Sequence, residues 1–324
     1  MNYRPKVSII IPVYNGSNYM KNAIDSALVQ TYDNCEIIVV NDGSTDNGES
    51  EKIALSYGDK IKYYHKENGG VSSALNFAFT KMTGEWFSWL SHDDLYKPEK
   101  IEKQILFINE LIEKNPAINL NKITVRCATE SIDKEGKTIR VPSYSGVKEH
   151  ETPIETIVNN VYNYRLSGCA FLLPSSCVNE VGGFDENIRT VSDVEYWYRL
   201  LFNGYEFYCM KNDRLVKNRS HKQQVGKTKV NLFEKELNDL HIKIADQLSK
   251  LKIDNLSKVI VSFYQGLVHR HMKRASKYVK KTYLRKHTSW FGYYISLPIS
   301  CGVRWFRGTF RNVARNIYRK LKVK

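Results

Sequence analysis

The sequence predicts an α/β fold in which a mostly parallel sheet carries helices on both faces. Two observations predict it. Short runs rich in Val, Ile and aromatic residues lie at Val7–Ile11, Glu36–Val40, Ile61–Tyr64 and Trp86–Leu90. Amphipathic stretches of helical periodicity separate them, near Tyr19–Gln30, Gly48–Tyr57 and Val71–Lys81. This alternation is typical of parallel sheets, and ligands of such sheets bind beyond the carboxyl ends of the strands.

The chain beyond Pro98 mixes helix and strand signals. A helix is expected directly after Pro98, because proline suits the first turn of a helix. Ile123–Ala128 and Lys137–Val141 flank Asp133–Gly136, which predicts a β-hairpin. The further elements expected here are a strand, a helix and a strand at Cys169–Leu173, Asp193–Phe202 and Glu206–Met210. The pattern changes near Val225–Asn231, beyond which the sequence is helical and basic.

The net charge of +15 is unevenly distributed. Seventeen of the 49 Lys and Arg residues lie between Asn255 and the end, where Asp and Glu are absent, so the preceding part holds 32 basic and 34 acidic residues. A nearly neutral body with a basic tail indicates contact with an anionic membrane or with nucleic acid.

The cysteines and the first residues indicate a reducing compartment. The six Cys residues are widely spaced and form no Cys-x-x-Cys pair, which argues against a zinc site or a disulfide framework. The first six residues lead straight into a strand-like apolar run, so no secretory signal peptide is expected.

Two carboxylates follow the second predicted strand. The segment Val40-Asn-Asp-Gly-Ser-Thr-Asp46 places them at the ligand-binding edge of the sheet. One of them can accept a hydrogen bond from a uracil imide or a ribose hydroxyl. The same residue types are good material for a turn or a helix N-cap, so this segment by itself leaves both interpretations open.

A second pair of carboxylates follows the fourth predicted strand. Asp93 and Asp94 are adjacent in Trp89-Leu-Ser-His-Asp-Asp94. Paired carboxylates, diphosphate oxygens and water form a suitable octahedral site for Mg²⁺ or Mn²⁺, and such a cation offsets the charge of a departing nucleotide diphosphate. The alternative is an exposed loop that caps the helix after Pro98.

Two further side chains have chemistry suited to group transfer. Asp193 and Glu195 open a helix two residues apart, so one can face a cleft while the other is structural. A carboxylate in a cleft can take a proton from an attacking hydroxyl, although at a helix start its usual role is a cap. His221 lies in a basic loop, where a neutral imidazole suits a third metal position and a surface position is the common alternative.

These segments together resemble the family 2 glycosyltransferases of the GT-A fold. The agreement is an ordered set of motifs over about residues 7–224, which is specific for the family and weak for the substrate. The motifs look like the family's opening strand and loop, nucleotide-binding turn, donor-side loop and helix, and acceptor-half turn: Val7-Ser-Ile-Ile-Ile-Pro-Val-Tyr-Asn-Gly16, Val40-Asn-Asp-Gly-Ser-Thr-Asp46, Glu67-Asn-Gly-Gly-Val-Ser-Ser-Ala-Leu-Asn76 and Gly182-Gly-Phe-Asp-Glu186.

The resemblance implies a role for each matching residue. It implies that Asp193 is the general base and that the anomeric carbon is inverted in a single displacement. The metal ligands that it implies, for Mn²⁺ or Mg²⁺, are Asp93, Asp94 and His221. The donor-binding residues that it implies are Pro12, Tyr14, Asn15, Asp42, Asn68, Gly70, Asn76 and Asp93.

Two positions depart from the family's pattern. Ser91 stands where the aspartate motif often begins with Asp, which leaves fewer carboxylates for the metal. Leu75 stands where an arginine is frequent in the donor-side helix, which removes one possible contact with the diphosphate. Which of Asp93 and Asp94 is the direct ligand stays open at this point.

The expected organisation is a GT-A domain over residues 1–225, with a nucleotide-binding half at 1–97 and an acceptor half at 98–225, followed by a helical basic region at 226–324. In that region Trp290–Val303 is apolar but too short to span a membrane. Beyond it, apolar residues and arginines recur on adjacent stripes of a predicted helix, which is typical of a helix in a membrane interface. A helix that packs back on the body is the alternative. Nucleic acid is disfavoured, because the aromatic residues lie on the apolar stripe and no recognition fold is evident.

The sequence therefore predicts an enzyme in the cytoplasm, peripheral on the inner face of the cell membrane. It would move a sugar from a nucleotide-diphosphate donor, with UDP favoured, to a hydroxyl of a glycan or lipid-linked acceptor in surface polysaccharide synthesis. One alternative is a membrane-bound scaffold with the same fold and no turnover. Another is a nucleotidyltransferase, which is expected to carry a glycine-rich, Arg- or Lys-bearing loop after the first strand, where this chain has Val13-Tyr-Asn-Gly-Ser17.

Overall fold

A computed structural model of the chain describes residues 3–163, 166–222, 224–253 and 255–284. The strands in these ranges are β1 Val7–Val13, β2 Cys35–Asp42, β3 Lys62–Lys66, β4 Trp86–Trp89, β5 Leu95–Tyr96, β6 Ile123–Ile132, β7 Thr138–Arg140, β8 His150–Glu151, β9 Phe171–Pro174 and β10 Glu206–Arg219. The helices are α1 Met20–Leu28, α2 Glu49–Leu55, α3 Val71–Phe79, α4 Lys100–Lys114, α5 Pro153–Asn163, α6 Ser176–Val181, α7 Ser192–Phe202, α8 Val225–Thr228, α9 Val230–Leu248, α10 Leu256–His269 and α11 Lys273–Val279, and a π-helical turn follows at Lys280–Leu284.

The strands form one mixed sheet in the order β3-β2-β1-β4-β9-β6-β10-β5, with β7 paired to β6 and β8 paired to β10. The pairs β3–β2, β2–β1, β1–β4 and β6–β10 are parallel. The shorter strand β9 lies antiparallel between β4 and β6. The long ladders are therefore the parallel ones, and the predicted α/β class is confirmed.

Helices cover both faces of the parallel part because its strands are apolar on both sides. Ile9 and Ile11 are fully buried in a core cluster that also contains residues of α1 and α4. Ile10 points the other way, since side chains alternate along a strand, and α3 contacts β1 and β2 through a different set of buried residues. In α4 the buried apolar residues recur every three or four positions, as an amphipathic helix on a core requires: Ile101, Ile105, Ile108 and Leu111.

Two strands are longer than their apolar pattern predicted. β10 continues past Met210 to Arg219, and β6 continues past Ala128 to Ile132. Their mutual register shifts between Met210 and Val216, where β10 carries polar residues through an irregularity. Such bulges interrupt side-chain alternation, which explains why the pattern ended early. Because of this extension, the segment after β10 lies at the edge of the sheet where the parallel strands end, which is where ligands of such sheets bind.

The chain divides into two compact units, Met1–Ile244 and Ala245–Lys324. Most of α9 belongs to the first unit, and the boundary at residue 225 between a GT-A domain and a C-terminal region stays a prediction. Among the described residues, no helix combines the length and the apolar character that crossing a membrane requires. The apolar stretch Trp290–Val303 and the arginine-bearing stretch after it lie outside the described residues.

Candidate active site

Loops that follow β1, β2 and β4 meet at one edge of the sheet because these three strands are parallel neighbours. Asn15 joins the first loop to the second: its N–H donates to Ser44 Oγ at 2.9 Å, and its Oδ1 accepts from Thr45 N at 2.7 Å. Asn15 adopts a φ of +48°, a conformation that asparagine tolerates better than most residues. Gly16 packs on the third loop, where an added Cβ would lie 2.8 Å from His92 Cδ2. The three loops are therefore in direct contact.

The carboxylate of Asp42 fixes the loop after β3. Asp42 is 2% exposed. Its Oδ1 accepts from Lys66 Nζ at 2.8 Å and from Gly69 N at 3.0 Å. Its Oδ2 accepts from Gly70 N at 2.7 Å and from Asn68 Nδ2 at 3.2 Å. Asp42 therefore shapes residues 66–70, here called the donor loop, and its predicted contact with the base stays a prediction.

The other predicted donor-binding residues have different surroundings. Pro12 is buried in β1, whereas Tyr14 is 45% exposed beside it. Asn76 lies on α3 and binds the turn at residues 182–186: its Nδ2 donates to Phe184 O and Glu186 Oε1, both at 2.9 Å, and its Oδ1 accepts from Phe184 N at 2.7 Å. The amide of Asn76 thus fastens this turn to α3, and its predicted contact with the donor stays a prediction.

Asp93 and His221 form a pair of potential metal ligands. Asp93 Oδ2 lies 2.9 Å from His221 Nε2, and both side chains are largely shielded. The imidazole also contacts the Tyr19 ring, with centroids 5.2 Å apart. A carboxylate oxygen beside an imidazole nitrogen is a donor set that Mn²⁺ accepts readily and Mg²⁺ accepts through the oxygen. The residues present therefore fit the expected cation.

Asp94 faces away from that pair and into the protein. Its Oδ1 accepts from Arg219 N at 2.7 Å, and its Oδ2 accepts from the Cys169 thiol at 3.2 Å. Burial, together with the charge of Asp93, raises the pKa of the Asp94 carboxyl above its ordinary value. Both observations favour Asp93 over Asp94 as the direct ligand. Within the described ranges no three His, Cys, Asp or Glu residues cluster as a metal site. A cation bound here would therefore need diphosphate oxygens and water to complete its coordination shell.

Arg219 organises both aspartates and was missed by the sequence analysis. Besides the bond from its N–H to Asp94, its Nε donates to Asp93 O at 2.9 Å. Its Nη1 donates to Lys134 O at 2.9 Å, and the guanidinium lies 4.6 Å from the centre of the Tyr19 ring. Arg219 is 3% exposed. The only signal in the sequence was its position two residues before His221.

A cavity of about 470 Å³ lies beside the loop that carries Asp93 and Asp94. Its walls come from β4, β6 and β7, the loops after β4 and β7, the segment before β9, the start of α7 and the end of β10: Trp89, Ser91, Asp94, Thr129, Arg140, Pro142, Ser143, Tyr144, Leu166, Ser167, Gly168, Cys169, Asp193 and Asn218. Asp193 therefore shares a cavity with the loop that carries the aspartate pair. Asp94 and Asp193 both line this cavity, whereas Asp42 and Asp93 are not part of its lining.

Asp193 is the carboxylate of α7 that can exchange a proton. Its Oδ1 accepts from Val194 N at 2.8 Å. The pKa of Asp193 is raised to about 6, because burial raises it by more than the hydrogen bond from Val194 N lowers it. Glu195, two residues on, is engaged in an ion pair with Arg199 at 2.8 Å. The sequence analysis expected one carboxylate in the cleft and one structural, and the structure distinguishes them.

Comparison with known proteins identifies the family. Residues 8–125 match a family model described as glycosyl transferase family 2. An uncharacterized glycosyltransferase from Rickettsia prowazekii is 41% identical over 281 residues, which cover 86% of this chain and 81% of that protein. The chain belongs to the family 2 glycosyltransferases. The glycosyltransferase also spans about two fifths of the length of relatives from Rickettsia felis, Rickettsia bellii and Rickettsia conorii that are 41–43% identical to it.

More distant proteins extend this picture. TuaG of Bacillus subtilis, whose name places it in teichuronic acid biosynthesis, is 27% identical over 235 residues, which cover 67% of the glycosyltransferase and 82% of TuaG. The crystal structure of S. aureus TarS 1-349 in complex with UDP-GlcNAc is similar with a TM-score of 0.64 at 16% identity, covering 89% of this chain and 77% of that chain. The likeness to TarS confirms the expected GT-A fold.

Proposed function

We propose that this glycosyltransferase transfers a sugar from a UDP-sugar to a hydroxyl of a glycan or lipid-linked acceptor, with inversion, in the synthesis of a surface polysaccharide. One observation carries the proposal: Asp193 lies in the wall of a cavity that reaches the Ser91–Asp94 loop. An acceptor in this cavity would have a base on one side and the donor-side loops on the other.

The base step follows from the environment of Asp193. With a pKa of about 6, most Asp193 side chains are ionised at pH 7 and still basic enough to accept a proton in the transition state. The oxygens of Asp94, the other carboxylate in the cavity, are both engaged by the protein. Among the described residues that line the cavity, Asp193 is thus the carboxylate available as a base, which supports one direct displacement with inversion of the anomeric carbon.

The donor side would be formed by the donor loop and by the Asp93–His221 pair. Asp93 and His221 would hold Mn²⁺ or Mg²⁺ together with diphosphate oxygens. When bound, such a cation supplies positive charge that stabilises the leaving diphosphate. Arg219 keeps the backbone of the aspartate loop in one position, which supports orientation of the donor relative to the acceptor.

The choice of UDP and of polysaccharide rests on relatives. TarS, which shares the fold, is described in complex with UDP and with UDP-GlcNAc. TuaG is named for the synthesis of a polysaccharide. A panel of nucleotide sugars tests the proposal: the matching donor should raise the melting temperature with Mn²⁺ and be hydrolysed slowly without acceptor. Stabilisation without any turnover would instead support the inactive scaffold. Formation of a nucleotide sugar and inorganic diphosphate from a sugar 1-phosphate and a nucleoside triphosphate would support a nucleotidyltransferase.

The pH dependence of turnover should report Asp193. We expect kcat/KM to be nearly constant above pH 7 and to fall below a midpoint near pH 6, approaching tenfold per pH unit, because protonated Asp193 cannot accept the proton of the acceptor. The measurement is kcat/KM between pH 4.5 and 8. The same fall in kcat/KM below pH 6 should persist in the residual activity of His221→Asn. That result would exclude the His221 imidazole as the titrating group. A midpoint near 4, the ordinary pKa of Asp, would contradict the assignment to Asp193.

Attachment to an anionic membrane is proposed for the basic tail. Deleting residues 290–324 should move the protein from the membrane fraction to the soluble fraction, because the apolar and arginine stripes predicted there would be lost. The measurement is sedimentation with vesicles containing anionic lipid. A full-length control in which Arg304, Arg307, Arg311, Arg315 and Arg319 are replaced by Gln separates the charge from the apolar stripe. Unchanged sedimentation of the truncated chain would show that the tail is not the anchor.

A further inference from the structure

A carboxylate on α9 holds the segment that leads into the base-bearing helix. Glu236 Oε1 accepts from Arg189 N at 3.0 Å. Its Oε2 accepts from Thr190 N at 2.8 Å and from Thr190 Oγ1 at 2.6 Å. Three donors from two consecutive residues converge on one side chain, and bonds to a carboxylate are stronger than neutral ones. Residues 189–190 are thereby fixed two residues before α7 begins.

The side chain of Arg189 reaches from this segment to the donor loop. Its Nη1 donates to Gly69 O at 2.6 Å, across 120 positions of sequence. The next residue, Gly70, has a φ of +91°, and an added Cβ there would lie 2.8 Å from Arg189 Nη1. Glycine at position 70 therefore satisfies both the backbone conformation and the approach of the guanidinium.

The same loop is held from its other side by Asp42, which accepts from the N–H groups of Gly69 and Gly70. A continuous path of hydrogen bonds thus runs from Glu236 through Arg189 and the donor loop to Asp42. Only four residues beyond Arg189, Asp193 lies in the wall of the cavity proposed for the acceptor. One short segment is therefore tied to the donor loop and carries the proposed base.

We infer that Arg189 is a positioning residue that fixes the donor loop relative to the base-bearing helix, and that Glu236 holds Arg189 in place. The effect on catalysis rests on the proposed function; the effect on the loop does not. Through this path α9 contributes to the arrangement of the donor site without touching the donor.

Hydrogen exchange tests the path in the protein alone. In Arg189→Ala and in Glu236→Ala, exchange should accelerate in peptides that cover residues 66–75, while peptides of the central strands β1 and β2 stay protected. Glu234→Ala is the matched control, because Glu234 is an exposed carboxylate two residues earlier on α9 and the substitution is identical. A general loss of protection would indicate a destabilised fold, and an unchanged donor loop in both variants would overturn the inference.

Kinetics with the matching donor provide the second test. Arg189→Ala and Glu236→Ala should each raise the KM for the nucleotide sugar about tenfold, the worth of one charge-assisted hydrogen bond, with kcat changed less than about threefold. The double variant should be little worse than either single variant, because both break the same path. Arg189→Lys, which retains a cationic donor, should recover part of the loss.

The outcomes of the kinetic test separate the inference from the proposed function. If the wild type is active and both variants keep its KM for the nucleotide sugar, the role of Arg189 is overturned and the proposed function stands. Additive losses in the double variant would also overturn it. No turnover by the wild type with any nucleotide sugar would refute the proposed function, while the exchange experiment would still decide whether the path exists.

Discussion

Asp193→Asn should lower kcat by 10²–10⁴ and leave donor affinity nearly unchanged. The substitution keeps the shape of the side chain and an oxygen that can accept the hydrogen bond from Val194 N, but an amide cannot take a proton from the acceptor hydroxyl. The expected loss is the usual contribution of a positioned general base. The measurement is kcat with saturating donor and acceptor, together with thermal stabilisation by the donor.

Glu195→Gln provides the matched control on the same helix. Glu195 pairs with Arg199 on α7 and does not line the cavity. Gln keeps an oxygen that can accept a hydrogen bond from Arg199, and the lining of the cavity is unchanged, so turnover should stay near that of the wild type. Turnover close to wild type in Asp193→Asn would remove Asp193 from the role of base. A comparable loss in both variants would point to a disturbed helix.

Asp93→Ala should mainly lower turnover, whereas Asp94→Ala should mainly lower stability, although the two residues are adjacent. Asp93→Ala removes a proposed ligand, so turnover should fall by 10²–10³, a typical cost of losing stabilisation of developing charge, and Mn²⁺ should no longer add to stabilisation by the donor. Asp94→Ala leaves the buried Arg219 N–H without its acceptor, which should lower the free energy of unfolding by about 1–3 kcal/mol. The measurements are steady-state kinetics and urea unfolding.

The contrast between the two variants is the informative result. His221→Ala should resemble Asp93→Ala, because the two side chains face each other at 2.9 Å. If Asp93→Ala keeps Mn²⁺-dependent stabilisation while Asp94→Ala loses it without unfolding, the direct ligand would be Asp94. Equal turnover of the wild type with chelator and with Mn²⁺ would contradict a metal requirement.

The parallel strands could be predicted closely from the sequence. β1, β2 and β4 begin within one residue of the predicted positions, because strands buried on both faces read as continuous apolar runs. The distal part of β10 could not be predicted in this way. Its residues Lys211–Arg214 are polar and cross a register shift, so no apolar pattern marks them as strand.

The sequence predicts which residues belong to the candidate site, but not which contacts they make. Asp93 and Asp94 are equivalent in the sequence, and what distinguishes them is the N–H of Arg219, 125 positions away. Asn76 matched a donor-side motif, yet its amide binds Phe184, 108 positions away. Burial and partners of a polar side chain depend on long-range packing, which spacing within a motif does not encode.

The arrangement around Arg219 has a consequence for the energetics of donor binding. Because one residue supplies its main-chain N–H to Asp94 and its Nε–H to the Asp93 carbonyl, the aspartate loop is ordered in the free protein. The conformational entropy of that loop is lost during folding, and little of it remains to be lost when a nucleotide arrives. Calorimetry of donor binding should accordingly show a smaller entropic penalty for the wild type than for Arg219→Lys, whose side chain cannot reproduce the guanidinium fork.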